Sequence, residues 1–255
     1  MTFPQLLEKI QRNPSVDFGN VFSDAFNLYQ KVWLQGLLLQ LLGILVQYGM
    51  SMILYIPLLV LGFVAPDQPG EDLNGASIFI LIVFVVMYLV MIVVLATFNF
   101  GLQAAFYRIV RMKDRNKKTE KGVNFGMFFK KKHLKKIFIL SMAHIGISIL
   151  AVMLCILPIF YVLIPLQFAI IIFAFYPDLS INDIYKAAFK LGNAKWGIAF
   201  GLMLVSGILA GLVGLLACVI GIYFTISFVY LPGYIIYKEV VGFYEDEDVI
   251  AQIGA

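Results

Sequence analysis

The stretch IFILSMAHIGISILAVMLCILPIFYVLIPLQFAIIIFAFYP, residues 137–177, decides the fold, because it contains no Asp, Glu, Lys or Arg. A helix needs only about 20 apolar residues to cross a bilayer core of roughly 30 Å, so the run is too long for one crossing and just long enough for two joined by a tight turn. Pro158 divides it into predicted spans at residues 136–157 and 159–176. Residues 32–66, 73–107 and 196–237 are equally free of charge. The first two of these runs each read as one overlong or tilted helix, predicted at residues 33–64 and 76–107. The last divides near Gly214–Gly221. The reading is therefore an all-α polytopic bundle of six spans, with re-entrant hairpins as the alternative for the two tight pairs.

Composition agrees. With 62% hydrophobic residues and a mean hydropathy of +0.93, the chain of 255 residues has too little polar surface to clothe a soluble globule. The first thirty residues mix polar and apolar side chains without a basic segment leading into an apolar core and a small-residue cleavage site, so the N-terminus is expected to be retained.

Charge orients the spans. Residues 108–136 carry twelve Lys and Arg, Lys186, Lys190 and Lys195 follow in residues 178–195, and Lys9, Arg12, Lys31 and Lys238 mark the ends. The positive-inside bias makes all of these cytoplasmic and places both termini on that side, as expected for a multi-pass membrane protein. The predicted outer loop holds only Asp67, Glu71 and Asp72.

A second pattern lies just before the odd-numbered spans. Phe18, Val21, Phe22, Ala25, Phe26, Tyr29 and Val32 recur at helical spacing, with Asn20, Ser23, Asp24, Asn27 and Lys31 turned away. Ile181, Ile184, Tyr185, Ala188, Phe189, Leu191 and Trp196 repeat Phe18, Val21, Phe22, Ala25, Phe26, Leu28 and Trp33 in the same register. Asn124, Phe125, Gly126, Phe128 and Phe129 give a fainter copy that runs into Lys130, Lys131, Lys132, Lys135 and Lys136. This predicts three parallel repeats, each an interfacial amphipathic helix followed by a transmembrane hairpin, within one membrane domain. The subdivision is an N-terminal segment 1–16, repeats 17–107, 124–177 and 178–240, a basic linker 108–123 and an acidic tail 241–255.

In this arrangement Trp33, Trp196, Phe22, Phe26, Phe128, Phe129, Tyr185 and Phe189 are the expected interfacial anchors. Lys130, Lys131, Lys132, Lys135, Lys136, Lys186, Lys190 and Lys195 are the expected contacts to lipid headgroups, at about 1 kcal/mol each. Ser180 with Asp183 reads as a helix-opening box.

Gly101, Tyr107 and Arg108, the segment 124–129, Pro165, the run 187–197, Cys218 to Gly221, Thr225 and Tyr237 together resemble a broad group of bacterial six-span membrane proteins. Relatives of that group form the membrane portion of some glycerophosphodiester phosphodiesterases. The resemblance implies topology. It carries no phosphodiesterase activity, because no soluble catalytic domain accompanies these residues.

Polar side chains inside the spans must face protein, since an unpaired polar group in hydrocarbon costs several kcal/mol. Gln40, Asn99 and His144 fall at similar predicted depths, with Gln103 and Gln167 nearby, and form a candidate intramembrane layer. It reads either as hydrogen-bonded glue between helices or as the wall of a polar cavity. No catalytic residues, metal ligands or cofactor motifs are recognised. Cys155 and Cys218 lie near the same predicted face, although cysteines in such helices mostly serve packing. The pairs Gly197 with Gly201 and Gly207 with Gly211 are spaced for close helix approach. Nucleic-acid binding is not expected, because the basic loop belongs to no groove-reading or stacking module. The expected partners are membrane lipids and a membrane-protein partner. The leading reading is a non-enzymatic lipid-binding or accessory protein, and the alternative is a passive carrier or pore for a small polar or lipidic solute.

Overall fold

The computed structural model describes residues 1–64, 75–115, 123–154, 157–217 and 221–243. Among these there are helices and turns and no strand. The chain runs through α1 (Phe3–Arg12), α2 (Phe18–Val64), α3 (Gly75–Asp114), a 3-10 turn (Met127–Phe129), α4 (Lys131–Met153), α5 (Leu157–Phe175), α6 (Ile181–Ala194) and α7 (Trp196–Leu216). It closes with α8 (Gly221–Thr225), a 3-10 stretch (Ile226–Tyr230) and α9 (Leu231–Val240). Among the described residues five helices, α2, α3, α4, α5 and α7, are long and apolar enough to cross a membrane. In hydrocarbon only a structure that satisfies its own backbone can survive, so uncharged apolar runs fold as helices.

The sixth predicted span takes a different form. Residues 221–240 are broken into α8, the 3-10 stretch and α9, each shorter than a crossing requires. Pro232 stands in the first turn of α9, where its missing N–H leaves no intrahelical bond unmade, so it suits the start of a new helix. Just before it the Leu231 N–H closes a tighter bond to Phe228 O. Upstream, the Thr225 hydroxyl lies 2.7 Å from Ala210 O and ties α8 to α7.

α2 and α3 form a long antiparallel hairpin in which Gly43 lies opposite Asn99. α2 runs 47 residues without interruption, so the amphipathic stretch and the first span are one helix. Nothing between Val32 and Trp33 breaks it, and helix formation propagates through any residue that keeps its backbone bond. The distal half of the hairpin is largely apolar and much of it faces outward, with Leu45 71%, Met52 70% and Phe79 66% exposed. Such a surface requires lipid or a membrane partner.

α5 is the centre of the bundle. Every residue from Ile164 to Phe175 except Gln167 is buried, packed by α3, α4, α6 and α9. Arg108 donates to the carbonyls of Ala174 and Phe175 at its C-terminal end, where a cation suits the helix dipole. α6 folds back along α5. Its N-cap Ser180 accepts the Asp183 amide at 3.1 Å, as the sequence predicts. Its C-terminal end places Gly192 against Pro165, and Tyr161 donates to Asn193 Oδ1 at 2.6 Å.

The three expected interfacial helices therefore differ from one another. The first is the start of α2, packed on the 3-10 stretch and α9. The second is a turn, in which Asn124 Oδ1 accepts the Gly126 amide at 3.0 Å before the single 3-10 turn. The third is a true amphipathic helix, α6, packed on α5 and on α1. α1 lies within the N-terminal segment 1–16 and buries Leu6 and Ile10. Apolar periodicity marks a buried face without specifying whether lipid or protein covers it.

Of the glycines expected to allow close approach, Gly197, Gly207 and Gly211 have open space where a Cβ would stand, and Gly201 meets only the Phe18 ring. The tight crossings occur at Gly36 on Ser227, Gly192 on Pro165 and Gly214 on Ile222. Spacing alone cannot tell which face of an all-apolar helix meets a neighbour. Cys155 and Cys218 both lie outside the described residues.

At the base of the bundle Glu239 comes close to Asp17 and Asp24, with Lys195 and Lys238 beside it. Partial burial pushes its carboxyl above the ordinary 4.5, repulsion from Asp24 and Asp17 adds to the shift, and the two lysines oppose it. A carboxyl raised in the folded state contributes full stability below its unfolded value and loses it as pH rises through the folded value. Glu239→Gln should therefore raise the melting temperature in detergent at pH 7 to 8. The two curves should merge once the pH falls below the ordinary carboxyl value; a gap that persists at pH 3.5 would show that the effect is not electrostatic.

Candidate functional site

A groove of about 570 Å³ lies between α3 and α4. Val93, Val94 and Phe98 of α3 and Leu134 and Phe138 of α4 give it apolar walls, Phe129 closes one side, and Lys131 and Lys135 stand at its edge. Thr97 also lines it, its hydroxyl 2.8 Å from that of Ser141, which binds α3 to α4 beneath the groove. The groove opens at the perimeter of the bundle, where Val94 is 42%, Leu134 43% and Phe138 46% exposed.

Local sequence explains the geometry. In the segment 124–130 Asn124 Oδ1 holds the Gly126 amide in a turn, and Phe128 packs into the core against Phe173 and His133. Phe129 sits over Gly101, where a Cβ would come within 2.9 Å of the ring, and packs on Phe98. These two rings set where α4 begins. α4 then opens on Lys131 and Lys132, with Lys130 as N-cap, no acid in its first turn and no side-chain cap. Cations at the positive end of a helix dipole are unfavourable, each by a few tenths of a kcal/mol to about 1 kcal/mol.

The eight lysines expected at headgroups separate into distinct roles. Lys136 donates to Pro177 O at 2.6 Å and to Leu179 O, closing the chain after α5. Lys195 is buried and donates to Pro14 O at 2.6 Å. Both ammonium groups have protein carbonyls as partners. Desolvation lowers the Lys195 value below that of a free lysine. Lys130, Lys132 and Lys186 are exposed and Lys190 half-buried. Only Lys131 and Lys135 of the eight line the groove.

The expected polar layer is divided between two seams. Asn99 faces α2 at Gly43 and donates to Leu95 O of its own helix at 2.9 Å, and Gln40 pairs with Tyr230. Gln103 is half-buried on α3. Gln167 reaches the Tyr107 hydroxyl at 3.4 Å beside Gly233. His144 lies on the other side of α3, against the edge of the Phe100 ring at 5.1 Å. Its Nε2 lies 3.1 Å from Leu166 O, and its Nδ1 lies 3.2 Å from Leu140 O and within hydrogen-bond reach of the Tyr185 hydroxyl, which donates to the same Leu140 O at 2.9 Å. His144 thus pins α4 to α5 and α6.

The aromatic anchors are likewise mostly packed. Phe22, Phe26 and Tyr29 surround Phe228, with ring centroids 5.7, 6.3 and 5.6 Å away. Trp33 stacks on Phe224 at 6.2 Å. Trp196 stacks on Phe200 at 4.9 Å and donates to Tyr161 O at 3.1 Å. Phe189 is half-buried, and Tyr185 serves His144. Trp33 and Phe26 still expose nearly half their surface, so they combine packing with an outward face.

Sequence reading missed the groove walls, because Val93, Val94, Leu134 and Phe138 look like any other span residues. The one available signal was the i, i+4 placement of Lys131 and Lys135 on one face of α4 with Leu134 and Phe138 between and beyond them. Comparison of the chain with protein-family models, with curated proteins and with solved structures finds no match.

Proposed function

We propose that this chain is a non-enzymatic integral membrane protein that binds lipid. The observation that carries the reading is the α3–α4 groove, with apolar walls open at the perimeter and two lysines at its edge. An acyl chain fits such walls without desolvation cost, and the lysines favour an anionic surface by about 1 kcal/mol each. In the same proposal the broken stretch 221–240 completes a sixth crossing, both termini face the cytoplasm of a bacterial cell, and the kinship is with the six-span group named above. A role as accessory subunit fits the bare distal hairpin of α2 and α3. The carrier reading has less support, because Gln40 and Asn99 face one seam and His144 another.

Native mass spectrometry of the protein released from nanodiscs made with total bacterial lipid tests this. The expected spectrum contains a lipid adduct that survives collisional activation sufficient to strip detergent. A bare monomer at all activation energies would refute lipid binding.

A further inference from the structure

We infer that the α3–α4 groove is a site for an anionic phospholipid, with Lys131 and Lys135 holding the phosphate and the walls holding the adjoining acyl chain. This rests on the lipid-binding reading and names its ligand. Three observations select anionic lipid over other occupants.

The first is the sorting of the lysines. Lys136 and Lys195 are spent on protein carbonyls, whereas Lys131 and Lys135 line the groove and form no ion pair among the described residues. The second is electrostatic frustration in the protein alone. Two like charges at i, i+4 repel, and they sit in the opening turns of α4, where no acid or capping side chain offsets the dipole. A phosphate between the two ammonium groups relieves both costs. A zwitterionic headgroup brings its own cation and relieves less. The third is the wall. Val93, Val94, Phe98, Leu134 and Phe138 line the same groove as the lysines and offer nothing to a free phosphate, but they match the chain that a phospholipid phosphate always carries. Because the groove opens sideways, the lipid enters by lateral diffusion without leaving its leaflet.

The test is a titration of the full chain in detergent, followed by native mass spectrometry, with phosphatidylglycerol, phosphatidylcholine and the chain-free glycerol phosphate as probes. The variants are Lys131→Gln/Lys135→Gln, the control Lys130→Gln/Lys132→Gln with the same change in net charge outside the groove, and Val94→Trp, which fills an exposed part of the wall. At about 1 kcal/mol per lysine, the groove pair should weaken phosphatidylglycerol about 30-fold while the control loses far less. Val94→Trp should also weaken it while retaining the wild-type melting temperature. The wild type should prefer phosphatidylglycerol to phosphatidylcholine and ignore glycerol phosphate.

Equal losses in the two double variants would overturn the site, since they would reveal only a general cationic field. So would unchanged affinity in the groove pair, or glycerol phosphate binding as well as the lipid does. In each of those cases lipid binding as such would stand. A wild type that retains none of the three probes would remove the lipid-binding reading itself.

Discussion

Gly192→Ala should unfold more easily than the wild type, whereas Gly207→Ala should be neutral or slightly more stable. The two substitutions add the same single carbon to helical glycines, so the backbone propensity gain, up to about 1 kcal/mol, is shared. Their surroundings differ. A Cβ at Gly192 would stand 2.8 Å from Pro165 Cγ and 2.9 Å from Pro165 Cα, while nothing lies within 4 Å of one at Gly207. Pro165 belongs to the buried half of α5, where backbone cannot withdraw without disturbing α3, α4 and α9. Overpacking of this kind costs about 1–3 kcal/mol, and α6 would carry Tyr185 away from His144 as it moved. Thermal unfolding in detergent reads both variants. If the two melting temperatures shift in the same direction, α6 does not pack on α5 as described.

Phe228→Ala should cost about 3–5 kcal/mol, the range for removing a large ring from a packed interior. Phe228 is 6% exposed and meets Phe22, Phe26 and Tyr29 edge-on, so its loss opens a void that three rings cannot collapse to fill. Phe18→Ala, at a residue 41% exposed, should cost about 1 kcal/mol or less by the same reasoning. The contrast separates two accounts of the aromatic face of α2. Were Phe22 and Phe26 mainly immersed in lipid, Phe228→Ala would be as mild as Phe18→Ala, because lipid would replace the lost ring. Similar denaturation midpoints for the two variants would therefore refute the packed cluster.

Much of the helical architecture is legible in residues 32–66, 73–107, 137–177 and 196–237, because hydrocarbon leaves an uncharged chain few alternatives to a helix. The cap at Ser180 is legible too, since a hydroxyl three residues before Asp183 has a specific amide to accept. The roles of Lys136 and Lys195 are not. A lysine next to a span reads as a headgroup contact, and only the position of a distant carbonyl, Pro177 or Pro14, converts it into an internal strut. His144 shows the same limit. Depth along a helix can be counted at about 1.5 Å per residue, which put it level with Asn99, but rotation cannot be counted when the helix is apolar all round. Phe100, the next residue in the chain, turned out to separate them.

What the amino-acid sequence determined by itself is the material of this protein: apolar helices, the breaks between most of them, and a basic surface, all consequences of solvation that act residue by residue. Tertiary structure decided which side chains meet. It alone placed α6 under α1, gathered three rings on Phe228, and left Lys131 and Lys135 beside an apolar groove while Lys136 was consumed. The reason is that partition into a bilayer depends on composition, whereas contact depends on the crossing and rotation of helices whose outer faces are chemically alike.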